Sequence, residues 1–236
     1  MLTLLLSAAF PVAVFLIVIY NKDTVKEPPG LLVKCFIWGC IATVPILFIE
    51  LLLDGFNLFE PVLISAFYDS FVVAAAVEEG FKFLFLYLII WKSREFDQHF
   101  DGIVYAVFVS LGFALIENIF YVLEGGLGIG IMRAVLSIPG HGLFGVVMGY
   151  FFALARFSGP GGKKILWLSF LAPVFLHGAY NFLLSLAAGI DNGLLTLLIF
   201  AGFIAFMVFL WRLGIKNINK QRAKDLERKS YANPYT

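Results

Sequence analysis

Charged residues are scarce in this chain of 236 residues. Only 14% are Asp, Glu, Lys or Arg, whereas 61% are hydrophobic and 17% are aromatic. A soluble domain cannot bury that much apolar surface, and the mean hydropathy of +0.93 agrees with this exclusion. We therefore predict an all-α polytopic membrane protein whose main partner is the lipid bilayer.

Cysteine is also rare. The chain has two, Cys35 and Cys40, and both fall in one apolar segment. This pattern excludes a disulfide framework as the basis of the fold and is typical of small core residues. No Lys or Arg precedes the first apolar span, whereas Lys22 and Lys26 follow it. That order is the reverse of a cleavable signal peptide, so we expect this span to be retained.

Seven apolar spans alternate with loops of contrasting charge. Every second loop carries at least two basic residues, and the other loops carry none except Arg133. Because Lys and Arg mark cytoplasmic loops, the sequence predicts a seven-helix transmembrane bundle with its N terminus outside and its C terminus inside. The spans are Leu2–Tyr20, Leu31–Leu53, Phe71–Trp91, Asp101–Leu123, Arg133–Arg156 (or from Pro139), Ile165–Ala188 and Leu194–Leu213.

Two stretches beside the outer ends of the spans are harder to assign. Pro61–Tyr68 is apolar, and the following Asp69 and Ser70 are residue types that cap a helix starting at Phe71. The stretch then forms a short interfacial helix, the alternative being one long tilted helix. Glu124–Met132 contains four glycines and is predicted to be an outer loop.

The C-terminal stretch differs from the rest in charge. We divide the chain into a membrane domain, residues 1–213, and a basic tail, residues 214–236. The basic residues in and just before this tail greatly outnumber Asp225 and Glu227. We expect a solvated cytosolic segment beside anionic lipid, not a nucleic-acid-binding one. The basic residues are Arg212, Lys216, Lys220, Arg222, Lys224, Arg228 and Lys229.

The third span contains Glu78, Glu79 and Lys82 inside an apolar run. Ionisable groups at that depth are costly, so they indicate a functional site. On a helix Lys82 lies over both glutamates and neutralises part of their charge. The alternative is a buried ion pair that only determines helix packing. The second glutamate is an excess charge that such a packing role does not need.

Other polar residues lie in the fourth, fifth and sixth spans. Counted along each helix, all of them fall in the outer half of the bilayer, at a depth that matches the glutamate pair. Each one alone is compatible with a simple interhelical hydrogen bond. Three glutamates and two histidines at one depth, however, form the inventory of a site that activates water. These residues are Glu117, Asn118, His141, His177 and Asn181.

Two chemistries use this inventory, and the sequence leaves both open. In the first, His141 and His177 bind a divalent metal of the zinc type together with a carboxylate, which we assign to Glu117. In the second, no metal is needed. Glu78 or Glu79 acts as general base on water, while a histidine and Asn181 donate hydrogen bonds to the developing oxyanion.

These residues form four motifs that resemble those of the PrsW intramembrane proteases, a family related to the CAAX prenyl endopeptidase and Abi group. The motifs are Glu78-Glu79-x-x-Lys82, Phe113-x-x-x-Glu117-Asn118, His141-x-x-x-Gly145 and His177-x-x-x-Asn181. The resemblance implies a multi-pass metalloprotease of the bacterial plasma membrane. It also implies a single-pass membrane protein as substrate, namely an anti-sigma factor that receives its first cut on the extracytoplasmic side.

Two other classes of function use similar residues. A proton-coupled or ion-coupled transporter also places carboxylates and histidines inside the membrane, although no internal repeat is visible here. A non-catalytic scaffold that grips another protein's helix is the third possibility. For the protease, hydrolysis requires water, so we expect a polar cavity open to the extracytoplasmic side.

Overall fold

A computed structural model describes the backbone of residues 1–232 and the side chains of residues 1–228. Within these residues the chain is helical and contains no β-strand. The π-helical segment Tyr68–Ala76 joins α3 to α4, and a short 3-10 turn, Gly159–Gly161, precedes α7. The α-helices are α1 Leu2–Lys22, α2 Pro29–Asp54, α3 Val62–Phe67, α4 Val77–Ile90, α5 His99–Val135, α6 Ser137–Phe157, α7 Gly162–Gly189 and α8 Gly193–Ala232.

Five helical stretches in the described part of the chain are long and apolar enough to cross a membrane. One of them, His99–Phe157, contains both α5 and α6, which pack against each other. The predicted all-α, multi-pass membrane fold is therefore confirmed. The five stretches are Leu2–Lys22, Pro29–Asp54, His99–Phe157, Gly159–Gly189 and Gly193–Arg228.

The connections between consecutive helices lie at two ends of the bundle, and these two ends differ in charge. We call the end formed by residues 23–28, 91–98 and 158–161 the basic end, because Lys22, Lys26, Lys92, Arg94, Lys163 and Lys164 lie in or beside these connections. We call the end formed by residues 55–61 and 190–192 the acidic end. It carries Asp54, Glu60 and Asp191.

The centre of the bundle is the pair α5 and α6. Almost every residue of α5 from Phe100 to Ala114 is buried, as is almost every residue of α6 from Ile138 to Ala153. Gly149 permits this approach, because a Cβ atom there would collide with the α5 backbone at Gly102 and Ile103. A Cβ atom at Gly145 would be tightly packed against Val107 and Ser110. The two glycines lie two turns and one turn after His141, so the close packing also holds that histidine against α5.

The run from α3 to α4 corrects one expectation. No separate interfacial helix is present in the described residues, because α3 passes without a break into the π-helical segment and then into α4. Asp69 does not cap a helix there; its carboxylate accepts a hydrogen bond of 2.6 Å from the Asn57 side chain. Single-turn π-bulges are commoner than this longer segment, and they frequently lie at functional sites. This one ends at Ala76, two residues before Glu78.

The stretch Glu124–Met132 is likewise not a loop. It is helical on both sides of Gly126, whose backbone has φ 73° and ψ −167°. That conformation is essentially restricted to glycine. The break lets the last part of α5 turn back on the preceding part, and α6 then begins at Ser137. Neither predicted start of the fifth span, Arg133 or Pro139, is the observed one.

The predicted tail shows no structural break at residue 213. Helix α8 continues through that position to Ala232, and the tail residues 233–236 lie outside the described residues. The side chain of Gln221 donates to the carbonyl of Tyr150 at 2.9 Å. The carboxylate of Asp225 accepts 2.8 Å hydrogen bonds from the backbone N–H groups of His99 and Phe100, which satisfies the first turn of α5.

Candidate active site

The predicted polar residues meet between four helices. The glutamate pair and Lys82 come from α4, Glu117 and Asn118 from α5, His141 from α6, and His177 and Asn181 from α7. A continuous chain of polar contacts joins all eight. Asn118 takes part only through Arg133, which is bound to Glu117.

Lys82 lies at the centre of this arrangement. Its ammonium is 2.8 Å from Glu79 Oε1, 3.0 Å from Glu78 Oε2 and 3.3 Å from His141 Nδ1. The ring of Phe113 closes one side, 4.2 Å from Nζ to the ring centroid. Lys82 and Glu79 are both 0% exposed. The predicted pairing of the lysine with both glutamates is what keeps two adjacent carboxylates at this depth.

His177 approaches the glutamate pair from α7. Its Nδ1 is 3.0 Å from Glu79 Oε1 and 3.9 Å from Glu78 Oε2, and its Nε2 is 3.2 Å from the Asn181 amide nitrogen. The imidazole stacks on Phe144 at 4.8 Å between ring centroids. Contacts on both nitrogens and on one face leave the ring little freedom to rotate.

His141 approaches from α6, with its ring 5.2 Å from that of His177. Its Nε2 is 2.9 Å from Glu117 Oε2. A carboxylate paired with a guanidinium accepts hydrogen bonds and a lysine ammonium only donates them, so the two contacts assign the imidazole tautomer. Nε2 carries the proton and donates it to Glu117, while Nδ1 accepts from Lys82.

Glu117 also contacts a residue that the sequence placed only as a charge in an outer loop. Arg133 forms an ion pair of 2.7 Å with Glu117 Oε2, and its Nε donates to Asn118 Oδ1 at 2.9 Å. Asn118 in turn donates to the carbonyl of Ala8 at 3.3 Å, which ties the site to α1. Periodicity could not reveal this contact, because it depends on the reversal at Gly126.

Four of these groups are arranged so that they could hold a metal ion. Each offers one donor atom, and the four donor atoms lie within 4.8 Å of one another. The group consists of Glu78, Glu79, His141 and His177. The predicted ligand Glu117 is not part of it, because its carboxylate lies against the far nitrogen of His141. Glu79 Oε2 is buried and has no hydrogen-bond partner among the described side chains, which leaves it free as a ligand.

A cavity of about 830 Å³ leads to this group. Glu78, Glu117, His141, His177 and Asn181 line its inner part. Towards the acidic end the lining consists of α2, the π-helical segment, the last part of α5 and α7. It reaches the exposed Asp54, and it includes Asp69 and Ser185. The cluster is therefore connected to the acidic end of the bundle by this cavity, whose lining is mostly apolar and not the polar one that the sequence predicted.

Glu50 of α2 is a further acidic residue of this lining that the motif analysis missed. It is a lone glutamate in an apolar span, so the argument from the cost of burying charge applied to it too. It lies outside all four motifs, which is why they did not single it out.

The comparisons with known proteins find relatives along most of the chain. Residues 27–211 match a family model that is described as "PrsW family intramembrane metalloprotease", and this range contains all four motifs. Several curated proteins named "Protease PrsW" are similar along most of their length. The one from Oceanobacillus iheyensis is 37% identical over 220 residues, which are 93% of this chain and 96% of that protein. The one from Bacillus subtilis is 35% identical over 209 residues, 88% of this chain and 90% of that protein.

A third relative, from Clostridioides difficile, is 37% identical over 226 residues, which are 93% of this chain and 91% of that protein. No solved structure matches the chain. The relatives are bacterial, and the apolar helices make this a multi-pass protein of the bacterial plasma membrane. The resemblance found in the motifs is thus confirmed over most of the sequence, and the chain belongs to the PrsW family of intramembrane metalloproteases.

Proposed function

We propose that this protease cleaves a single-pass membrane protein on the extracytoplasmic side of the membrane, with an anti-sigma factor as the leading substrate. The observation that carries the proposal is the group of two glutamates and two histidines at the inner end of a cavity that leads to the acidic end. The anti-sigma factor is proposed from the resemblance of the motifs to the family.

Glu78 is the general base in this proposal. Both glutamates contact Lys82, but only Glu78 lines the cavity through which water arrives. Glu78 takes a proton from water, and the oxygen forms a bond to the carbonyl carbon of the substrate. The C–N bond then breaks, and the proton passes from Glu78 to the leaving amine. Glu79, which is fully buried, positions Lys82 and His177.

Asn181 is the proposed donor to the oxyanion. With Nδ1 of His177 donating to Glu79, the Nε2 atom accepts one hydrogen of the Asn181 amide. The second amide hydrogen is free of that contact, and Asn181 lines the cavity where the substrate carbonyl would lie. A neutral amide donor in a partly dry site stabilises developing negative charge without a change of its own protonation.

The same residues fit a divalent metal. Carboxylates and neutral imidazoles are the usual ligands of zinc, and Glu79 Oε2 is a buried ligand atom without a partner. Glu78, Glu79, His141 and His177 would hold the ion after displacement of the Lys82 ammonium, which contacts three of these four groups. When bound, the ion would polarise the substrate carbonyl and lower the pKa of water. Zinc is the metal that we propose. His177 would offer Nδ1 to the ion, and the proton of that ring would then be on Nε2, which faces the Asn181 amide.

The proposed topology has seven spanning helices, because the run α3 to α4 and the separate helices α5 and α6 each cross the membrane. The basic end then faces the cytosol, and the cavity opens to the extracytoplasmic side. Single cysteines on a Cys35- and Cys40-free background test this. S185C, in the cavity lining, should react with an impermeant thiol reagent from outside, and K163C only from inside. The opposite result contradicts the topology.

The function itself is tested in proteoliposomes. The purified protein is reconstituted with a single-pass anti-sigma factor from the same species, and new N termini are located by mass spectrometry. We expect one cut in the extracytoplasmic juxtamembrane segment, absent with E78Q. A cut on the cytoplasmic side contradicts the proposed orientation of the site. No cut in the anti-sigma factor, with cleavage of other co-reconstituted membrane proteins, contradicts only the substrate.

A further inference from the structure

The inference concerns Arg133, which belongs to none of the four motifs. Sixteen residues separate it from Glu117, and on a straight helix that separation is about 24 Å. The two side chains are nevertheless 2.7 Å apart, because α5 reverses at Gly126. The reversal brings a second cation into the site beside Lys82.

Arg133 is held in a single orientation. Its guanidinium pairs with Glu117, its Nε donates to Asn118 at 2.9 Å, and its Cζ lies 3.9 Å from the centroid of the Tyr121 ring. It is only 9% exposed. A guanidinium with fixed partners of this kind presents its donors in a rigid plane, which a flexible lysine ammonium does not do.

The bound Glu117 in turn orients His141. Glu117 Oε2 faces both Arg133 and Nε2 of His141, the latter at 2.9 Å. This contact places the imidazole proton on Nε2 and leaves Nδ1 as the acceptor that faces Lys82 and the glutamate pair. A carboxylate that orients a histidine in this way typically changes activity or metal affinity by about 10–100-fold when it is removed.

We propose that Arg133 is a positioning residue of the protease. By pairing with Glu117 it keeps this carboxylate against Nε2 of His141, so that Nδ1 of His141 faces the glutamate pair as an acceptor. Arg133 acts through Glu117 and takes no proton in the reaction. The inference rests on the proposed function for its effect on cleavage, but its effect on the His141 tautomer is independent of any substrate.

The tautomer is measured by NMR of protein labelled with ¹⁵N-histidine. The chain has three histidines, and comparison with H141Q assigns the His141 signals. We expect the wild-type signals to show a proton on Nε2 and none on Nδ1. In R133Q we expect a mixture of the two tautomers. R133K retains a cation beside Glu117 but not the fixed donors of the guanidinium, so it should recover the wild-type pattern only in part. The control R156Q, in the last turn of α6, should leave the spectrum unchanged.

Kinetics on the proteoliposome substrate separate positioning from substrate binding. We expect R133Q to lower kcat by about 10–100-fold while KM changes little. A rise in KM with an unchanged tautomer shows that Arg133 binds substrate and overturns the proposal. Wild-type tautomer and kcat in R133Q overturn it as well. If no substrate is cleaved even by the wild type, the proposed function fails while the tautomer result still decides the role of Arg133.

A double-mutant cycle covers the case in which R133Q does not fold. That variant leaves the Glu117 carboxylate without its cation, and E117Q/R133Q removes this charge as well. If Arg133 acts only through Glu117, its replacement in the E117Q background has no further effect on the tautomer or on kcat. A further change in the tautomer or a further loss of kcat on going from E117Q to E117Q/R133Q contradicts the proposal.

Discussion

Two groups of buried carboxylates lie in different parts of the bundle, one at the inner end of the cavity and one at the basic end, and they differ in what surrounds them. At the cavity, Glu78 and Glu79 share Lys82, and Glu117 pairs with Arg133. At the basic end, Glu27 accepts a hydrogen bond from Tyr105, and Asp101 accepts from the backbone N–H groups of Asp97 and Gln98.

The basic-end group has no ion-pair partner among the side chains that the structure describes. Among the described side chains no Lys or Arg forms an ion pair with Glu27 or Asp101, and the adjacent Lys26 donates to the carbonyls of Tyr20 and Asp23. Burial, together with the nearby Asp101, raises the pKa of Glu27 to about 10. The Glu27 carboxyl group, which only connects a loop to α5 through Tyr105, thus stays neutral. Where cations are supplied, carboxylates can remain charged for chemistry.

The same isosteric substitution at both places tests this difference, and the largest effect is expected at the cavity. E78Q removes the proposed base and should lower cleavage by about 10²–10⁴-fold, with the protein still inserted and abundant. E79Q should do the same through loss of the Lys82 and His177 contacts. E27Q is the matched control and should retain wild-type cleavage. Near-normal turnover in both E78Q and E79Q leaves the cluster only a packing role.

Removal of the central cation is expected to have the next largest effect. K82M leaves two buried carboxylates without their partner, a change that typically costs about 3–5 kcal/mol. In the wild type Nζ contacts three of the four potential ligands, Glu78, Glu79 and His141. Its removal frees them, so Co²⁺ should raise the Tm of K82M more than that of the wild type, with d–d absorption typical of bound cobalt. K92M, at the basic end, is the control. An equal effect of Co²⁺ on the Tm of K82M and of the wild type contradicts a metal site at the position of Lys82 Nζ.

The sequence predicted the cluster because few alternatives exist for charge in an apolar helix. Glu78, Glu79 and Lys82 have to face other polar groups, and helix geometry places the lysine over both glutamates. The match in depth then brought in Glu117, His141 and His177. All of these meet in the structure, so this part of the site followed from helical periodicity and the cost of burying charge.

Other parts of the structure had weak or no signals in the sequence. The reversal that brings Arg133 to Glu117 depends on the backbone of one residue, Gly126, within a stretch whose four glycines suggested a loop. No residue pattern indicated the π-helical segment. In the tail, by contrast, Asn217, Gln221 and Asp225 recur every fourth residue and are all buried. That spacing was readable, but the excess of basic residues around it favoured a solvated segment.

A substitution at Gly126 tests whether the backbone reversal there brings Arg133 to the cavity. A Cβ atom there has open space, but its φ of 73° disfavours any side chain. G126A should therefore destabilise the protein by about 1–3 kcal/mol and weaken the contact between Arg133 and Glu117. Gly128 also has open space around it and no positive φ, so G128A should be neutral or slightly stabilising. Chemical or thermal unfolding in detergent measures both. Equal effects of the two substitutions contradict strain at Gly126.

The smallest effect is expected at the basic end and concerns pH. Because the pKa of Glu27 is raised from 4.5 to about 10 in the folded protein, the folded state binds more protons than the unfolded state between these values. Its contribution to stability is fully present below about pH 4.5 and is lost as the pH rises towards 10. Glutamine imitates the protonated carboxyl group at every pH. The Tm of E27Q should therefore fall less than that of the wild type between roughly pH 6 and 9, where the wild type loses the contribution of Glu27. E60Q, at the exposed acidic end, is the control and should follow the wild type. Parallel Tm curves for E27Q and wild type show that Glu27 is ionised when buried, and the contrast between the two carboxylate groups then fails.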